Sequence, residues 1–321
     1  MQKRVLLTGG AGFIGSNVLK SLNDMGIDNI VVVDNLGESE KWKNLVGKSY
    51  EELLHKSQLF DWLKGEKFDA IIHLGACSST VENDSNYLLE NNYRYSRKLA
   101  EYAILRGIRF IYASSAATYG DGSKGFEDDH DKLEELEPMN MYGYSKHMFD
   151  LWLKRMGYLD KIVGLKYFNV YGPNEFHKGR MASVILKMVP DVINSGTIRL
   201  FASTEPDRFQ DGDQVRDFIY VKDAAEMTVQ FLENGVTGIY NVGTGNEGTW
   251  NQIARGVIKG VDRPGKIEYI STPKDLIGKY QNYTCADMNK SHANKLKMPV
   301  FSLEKAVIDY VTGYVLPGKY R

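Results

Sequence analysis

The chain has only two cysteines, Cys77 and Cys285. No disulfide framework can hold it together, and reduced thiols packed as small hydrophobes are expected. Neither charge is in excess: 40 basic residues face 41 acidic ones, for a net charge of −1. A nucleic-acid or acidic-membrane surface calls for a basic excess, so neither is expected as a partner. No apolar run approaches the roughly 20 residues that cross a bilayer. The first strand pattern begins within four residues of Met1, so a signal peptide is not expected. Internal repeats and low-complexity runs are also missing. A cytoplasmic location is expected, and the 321 residues are enough for one large domain or two intimately joined ones.

The stretch Arg4 to Gly15 organises the rest. A short apolar run, Val5 to Leu7, ends in a glycine cluster, and an amphipathic stretch, Phe13 to Leu22, follows at once. Strand, tight turn and helix in this order are how a dinucleotide pyrophosphate is held. Gly9 supplies the torsions of the turn, Gly12 lets the backbone approach the phosphates, and Gly15 lets the helix close on the strand. Phe13 and Ile14 open that helix, whose free N–H groups and positive dipole end face the anion. The second strand, Ile30 to Val33, ends in Asp34, about 20 residues past the last glycine, where a ribose-binding acid belongs. Asn35 stands beside it, and a polar loop over 37–48 carries Lys41, Lys43 and Lys48. Lys56 follows on a helix predicted over 50–63. Lys41 and Lys56 suit a cofactor 2′-phosphate, whereas the Asp34 carboxylate repels one. NADP is therefore expected, with NAD as the alternative.

Asp69 to His73 reads as a buried strand ending in the small-residue turn Leu74–Gly75–Ala76–Cys77–Ser78, at the sheet edge where cofactors lie. His73 is read as a packed strand histidine. Tyr87 to Arg106 has a long helical pattern containing Asn91–Asn92. Strands over 110–113 and 162–167 flank a helix running from Tyr142 to Met156. This alternation predicts an α/β fold, a doubly wound parallel sheet of Rossmann type. After Pro173 the composition changes. A helix over 183–193 contains Pro190, an irregular acidic segment spans 201–215, and short strands and helices return from Arg216 to Val242. Everything beyond reads as short helices and loops. The expected division is a dinucleotide-binding domain of residues 1–167 and 216–245. A smaller mixed α/β substrate domain would take residues 168–215 and 246–321.

The second constellation is Tyr142–Gly143–Tyr144–Ser145–Lys146. On a helix Tyr142 and Lys146 are four apart and share a face. An ammonium beside a phenol stabilises the phenolate, so Lys146 is expected to lower a pKa that starts near 10. Tyr144 is the competing tyrosine, but its partner four residues on is Met148. Ser115 closes an intervening strand and is placed to join them.

The glycine turn, Ser115 and the Tyr142/Lys146 pair together resemble the extended short-chain dehydrogenase/reductase family, which acts largely on nucleotide sugars. Cys77–Ser78–Ser79–Thr80, His177–Lys178–Gly179, Arg216–Asp217–Phe218 and Lys279–Tyr280–Gln281 resemble more narrowly its members that invert carbon 6″ of an ADP-heptose. That resemblance runs from the first strand to near residue 300. It implies an isomerase that oxidises a carbinol to a ketone on tightly bound NADP and reduces it on the other face, supplying heptose for the lipopolysaccharide core. Two faces call for two proton-transfer groups, and the resemblance makes them Tyr142 and Lys178. Ser115 would hydrogen-bond the reacting oxygen, and Lys146 would also bind the nicotinamide ribose. Leu74 to Ser78, Asn91 and Val170 would complete the cofactor site. Ser78, Ser79, Ser115, Asn169, Phe201, Arg216 and Tyr280 would contact the substrate, Arg216 because a guanidinium grips phosphate oxygens bidentately. A homo-oligomer, a pentamer, is also implied. Arg180 and Lys187 stand where the family pattern has a serine and a histidine, and two cations there suit a diphosphate. The segment over 202–215 is longer than the family's.

Three rivals remain. A nucleotide-sugar 4-epimerase would need no second base at Lys178. A 4,6-dehydratase needs an Asp–Glu pair after the serine, and Ala116–Ala117 stand there instead. A non-catalytic dinucleotide-binding protein would have no use for Ser115, Tyr142 and Lys146 together.

Overall fold

A computed structural model describes residues 3–273 and 281–321. Seven parallel strands form the central sheet: β1 (Val5–Thr8), β2 (Ile30–Asp34), β3 (Glu52–His55), β4 (Ala70–His73), β5 (Arg109–Ser115), β6 (Ile162–Tyr167) and a late strand, Gly238–Val242. β1, β2, β4 and β6 are wholly buried, and β5 nearly so. Strands buried on both faces in this way belong to a parallel sheet covered on both sides. The spatial order runs from Gly238–Val242 through β6, β5, β4, β1 and β2 to β3. The chain moves outward from β1 to β3, then returns to the other side of β1. The order therefore reverses between β1 and β4, which opens a crevice at their carboxyl ends.

One predicted helix does not exist. Residues 52–55 form edge strand β3, in register from Val31 opposite Glu52 to Asp34 opposite His55, and only Leu59–Trp62 is helical. The free ladder of β2 captures this segment by backbone hydrogen bonding, which outweighs its local pattern. Lys56 consequently follows the carboxyl end of a strand. The loop over 37–48 likewise contains a short 3₁₀ helix, Glu40–Leu45.

Beyond β6 the chain makes three two-stranded sheets. β7 (Asn169–Tyr171) pairs with β10 (Phe218–Tyr220), β8 (Thr197–Phe201) with β13 (Lys266–Ile270), and β9 (Val215–Arg216) with β12 (Gly248–Thr249). The late strand of the main sheet is β11 in this numbering. The C-terminal part is more regular than its pattern predicts. Trp250–Val261 is a twelve-residue helix opened by a reciprocal capping box between Thr249 and Gln252. It packs on Val184–Ser195 and Leu303–Tyr310 around Ile185, Val189, Ile253, Val257, Val307 and Tyr310. Pro190 lies inside Val184–Ser195. Among the described residues no helix is long and apolar enough to cross a membrane.

Candidate active site

The glycine turn sits at the crevice. Gly9 has φ +72°, and a Cβ there would lie 2.6 Å from the Gly75 nitrogen. The turn after β1 and the turn after β4 therefore touch backbone to backbone. A Cβ on Gly15 would stand 2.0 Å from the Gly9 carbonyl oxygen, so the helix Phe13–Asp24 rests directly on the turn. Gly12 caps that helix without a side-chain hydrogen bond, which leaves its first N–H groups pointing outward. Phe13 is buried and Ile14 half-buried behind them. The turn is shaped for a pyrophosphate.

A cleft of about 200 Å³ opens beside it, lined by Gly9, Asp34, Asn35, Lys41, Lys56, Gly75, Ala76, Cys77 and Asn91 of the predicted cofactor residues. Thr8, Val33, Tyr87 and Tyr95 complete the wall. Asp34 is buried, and its carboxylate accepts N–H groups from Ala11 at 2.8 Å and Asn35 at 2.7 Å. Lys41 pairs with the same carboxylate. Asp34 is thus spent on the turn and neutralised by Lys41. Lys56 donates to the Asn91 side chain at 2.6 Å, which aims its ammonium into the cleft wall. Leu74 is tied to β1 by its N–H on the Thr8 carbonyl. Ser78 and Ser79 continue the turn, exposed and half-buried respectively. Val170 lies half-buried in β7, opposite Ile219.

Ser115 ends β5 and caps the short 3₁₀ helix Ala116–Tyr119, its hydroxyl oxygen accepting from the Ala117 N–H at 3.1 Å. Tyr142 and Lys146 share a face of the helix Met141–Arg155, as their spacing predicts. The predicted electrostatics differ. Burial pushes the Tyr142 phenol above its ordinary value, and what opposes this is a hydrogen bond with Ser115 rather than Lys146. Lys146 donates to the Ala113 carbonyl at 2.8 Å, and burial brings its ammonium down to about 8. Tyr142 therefore rests as a protonated phenol, and its interaction with Ser115 works against the rise that burial causes.

Lys178 lies on the 3₁₀ turn Phe176–Met181, with its ammonium 4.9 Å over the Phe13 ring. Half-buried there, it has its pKa lowered by desolvation, against the pull of Glu175. That is the direction a lysine base needs. Arg180 and Lys187 are exposed, and Lys187 donates to the Arg180 carbonyl at 3.2 Å. Arg216 is buried, bonds the Val215 carbonyl at 2.8 Å and faces the Trp250 ring. Asn169, exposed at the start of β7, reaches the Thr284 hydroxyl at 3.3 Å. Phe201 ends β8, half-buried. Tyr280 lies outside the described residues. His73 is the packed histidine expected, held between Thr8 at 2.6 Å and Ser96 at 2.8 Å.

Three buried asparagines escaped the sequence reading as structural pins. Asn44 donates to the carbonyls of Ala11 at 2.9 Å and Asn174 at 3.1 Å, joining the phosphate turn to the segment that carries Lys178. Asn174, with φ +78°, donates to Ser16 at 2.9 Å on the first helix. Asn92 bonds both backbone groups of Cys77 and reaches Ser145 at 3.0 Å. It sits in a π-helical turn, Leu89–Arg94, a deformation frequent at functional sites. An asparagine pair inside a helical pattern was the available signal.

These features agree with what the chain is similar to. An ADP-L-glycero-D-manno-heptose-6-epimerase of Nitratidesulfovibrio vulgaris is 52% identical over 315 residues, 97% of each chain. The protein of that name from Fusobacterium nucleatum is 40% identical, over 97% of this chain and 98% of that one. Among solved structures, the Helicobacter pylori ADP-L-glycero-D-manno-heptose-6-epimerase matches with a TM-score of 0.81 and 29% identity, over 97% and 96% of the two chains. The model of the NAD dependent epimerase/dehydratase family matches residues 5–243, and the chain belongs to that family.

Proposed function

We propose that this chain converts ADP-D-glycero-D-manno-heptose to its L-glycero epimer at carbon 6″. The observation that carries the reading is identity of 52% along nearly the whole length to an epimerase of that name, in a chain that pairs Ser115 with Tyr142 and holds a second, desolvated lysine at Lys178. A bound nicotinamide dinucleotide supplies the hydride acceptor and donor at the reacting carbon. Gly9, Gly12 and the first turn of Phe13–Asp24 hold its pyrophosphate. Ser115 hydrogen-bonds the reacting oxygen, and Tyr142 gives and takes its proton on one face of the sugar. Lys178 does so on the other. Burial works on the two groups in complementary directions, keeping the phenol protonated and weakening the ammonium.

The cofactor is NADP in this reading, because Lys41 cancels the Asp34 charge that would repel a 2′-phosphate, and Lys56 stands on the same cleft. Arg216, Asn169, Ser78, Ser79 and Phe201 serve the nucleotide sugar, with Arg180 and Lys187 near its diphosphate. Residues 1–167 and 216–245 bind the dinucleotide, and the remainder binds the sugar. The enzyme works in the cytoplasm as a homo-oligomer, supplying lipopolysaccharide heptose.

Incubation with ADP-heptose in heavy water, followed by NMR of the product, tests the reaction. Inversion at carbon 6″ without deuterium at carbon 6″ or 7″ is expected, since the hydride never leaves the closed complex. Turnover of UDP-glucose in place of ADP-heptose would refute the substrate, and stoichiometric deuterium would refute direct oxidation.

A further inference from the structure

Beneath the Ser115–Tyr142–Lys146 site lies an ion pair sealed from water. Asp150 and Lys166 are both fully buried, with ammonium and carboxylate 3.1 Å apart. Asp150 stands one helical turn beyond Lys146, on the same face of Met141–Arg155. Lys166 comes from β6. The end of β5 is fastened between them. The Tyr112 phenol and the Ser114 hydroxyl both donate to Asp150 at 2.7 Å. The Ala113 carbonyl accepts from Lys146. The Ser115 carbonyl accepts from the Thr118 hydroxyl at 2.8 Å, and Thr118 in turn accepts from Lys166.

Stability is a poor account of this arrangement, because apolar residues of similar volume commonly replace a buried ion pair without loss. Its place in the molecule suggests another use. The titratable groups bearing on Lys146 are Asp150 from its own helix, Cys77 from the turn after β4 and His73 from β4, while Tyr142 stands four residues before it on the same helix face. Burial keeps His73 neutral, with its pKa brought down to about 3. Asp150 is the carboxylate among them, and it opposes the desolvation of the Lys146 ammonium.

We infer that Asp150, held by Lys166, is a positioning residue of the hydride-transfer site: it keeps Lys146 in its ammonium form and sets where the end of β5 presents Ser115. This rests on the epimerase reading above.

The pH–rate profile of ADP-heptose epimerisation by the purified holoenzyme, with a melting midpoint recorded at each pH, tests it. Wild type should lose activity on the alkaline side near the Lys146 value of about 8. Asp150→Asn combined with Lys166→Met removes both charges and roughly keeps the volume. It should remain folded, with the alkaline limb moved about one pH unit toward acid, because the carboxylate that raises the Lys146 ammonium is gone and a nearby opposite charge shifts a pKa by about 1–3 units. Asp150→Glu keeps the charge but displaces the carboxylate. Its alkaline limb should stay in place while kcat falls and KM does not change. A folded double variant with an unmoved limb overturns the inference. Should the double variant not fold, Asp150→Glu decides, and wild-type kcat there overturns the positioning role. A wild-type protein without turnover refutes the substrate reading and this inference with it, whereas an active wild type with unmoved variants refutes this inference alone.

Discussion

Replacing Gly15 by alanine adds one methyl group where the structure has no room for it. The new Cβ would stand 2.0 Å from the Gly9 carbonyl oxygen, 2.7 Å from its carbon and 3.0 Å from the Gly10 Cα. All three are backbone atoms, so no side chain can swing aside. The helix Phe13–Asp24 and the turn must part by more than an ångström. Overpacking of this kind costs about 1–3 kcal/mol, which corresponds to a fall of a few degrees in melting midpoint. The larger effect falls on the dinucleotide, because the N–H groups at the head of the helix move with it. Losing the alignment of one hydrogen bond to a charged phosphate costs about 1.5–3 kcal/mol, and about 1.4 kcal/mol is tenfold in affinity. Gly15→Ala should therefore bind NADP roughly 10- to 100-fold more weakly, measured by titration calorimetry on cofactor-stripped protein. Gly313 is the control, since a Cβ there meets nothing within 4 Å and its φ is not in the left-handed region. Gly313→Ala should bind as wild type does and melt no lower. Wild-type melting and binding in Gly15→Ala would refute the close-approach argument.

Tyr142→Phe and Lys178→Met should each slow epimerisation by about 10²–10⁴, the usual contribution of a general acid or base, while binding NADP as before. Near-normal turnover of Lys178→Met would leave a single-base enzyme. Lys41→Ala should lower the preference for NADP over NAD by about tenfold in parallel binding titrations, since it removes one cation and exposes the Asp34 charge; an unchanged ratio would place the 2′ group elsewhere. His73 is neutral in the folded protein, with a pKa of about 3 against an ordinary 6.5, so the unfolded chain binds the extra proton. Stability should be lost as pH falls from 6.5 toward 3, by up to about 1.4 kcal/mol per pH unit from this residue. His73→Gln should flatten that slope in melting curves recorded from pH 7 to 4.

The parts legible in the sequence are those whose physics is local. Val5 to Gly15 could be read because strand, turn and helix follow one another within a dozen residues and the chemistry of the turn demands glycine. The shared face of Tyr142 and Lys146 followed from helical spacing alone. Continuous apolar runs announced the buried strands β1, β2 and β4, and with them the sheet.

What tertiary structure decided depends on partners distant in sequence. Residues 52–55 became a strand because β2 had a free edge, a fact invisible within the segment itself. The Tyr142 phenol went up rather than down because burial outweighs its neighbours and because Lys146 points at the Ala113 carbonyl. Asn44, Asn92 and Asn174 look like ordinary polar residues until the fold brings their amides to the turns they pin, Asn44 across 130 positions to Asn174. Lys166 lies within the strand predicted over 162–167, and only the fold buries it against Asp150. Desolvation and long-range hydrogen bonding are properties of the packed molecule. Sequence spacing selected the chemical groups, whereas packing set their charge states and their positions.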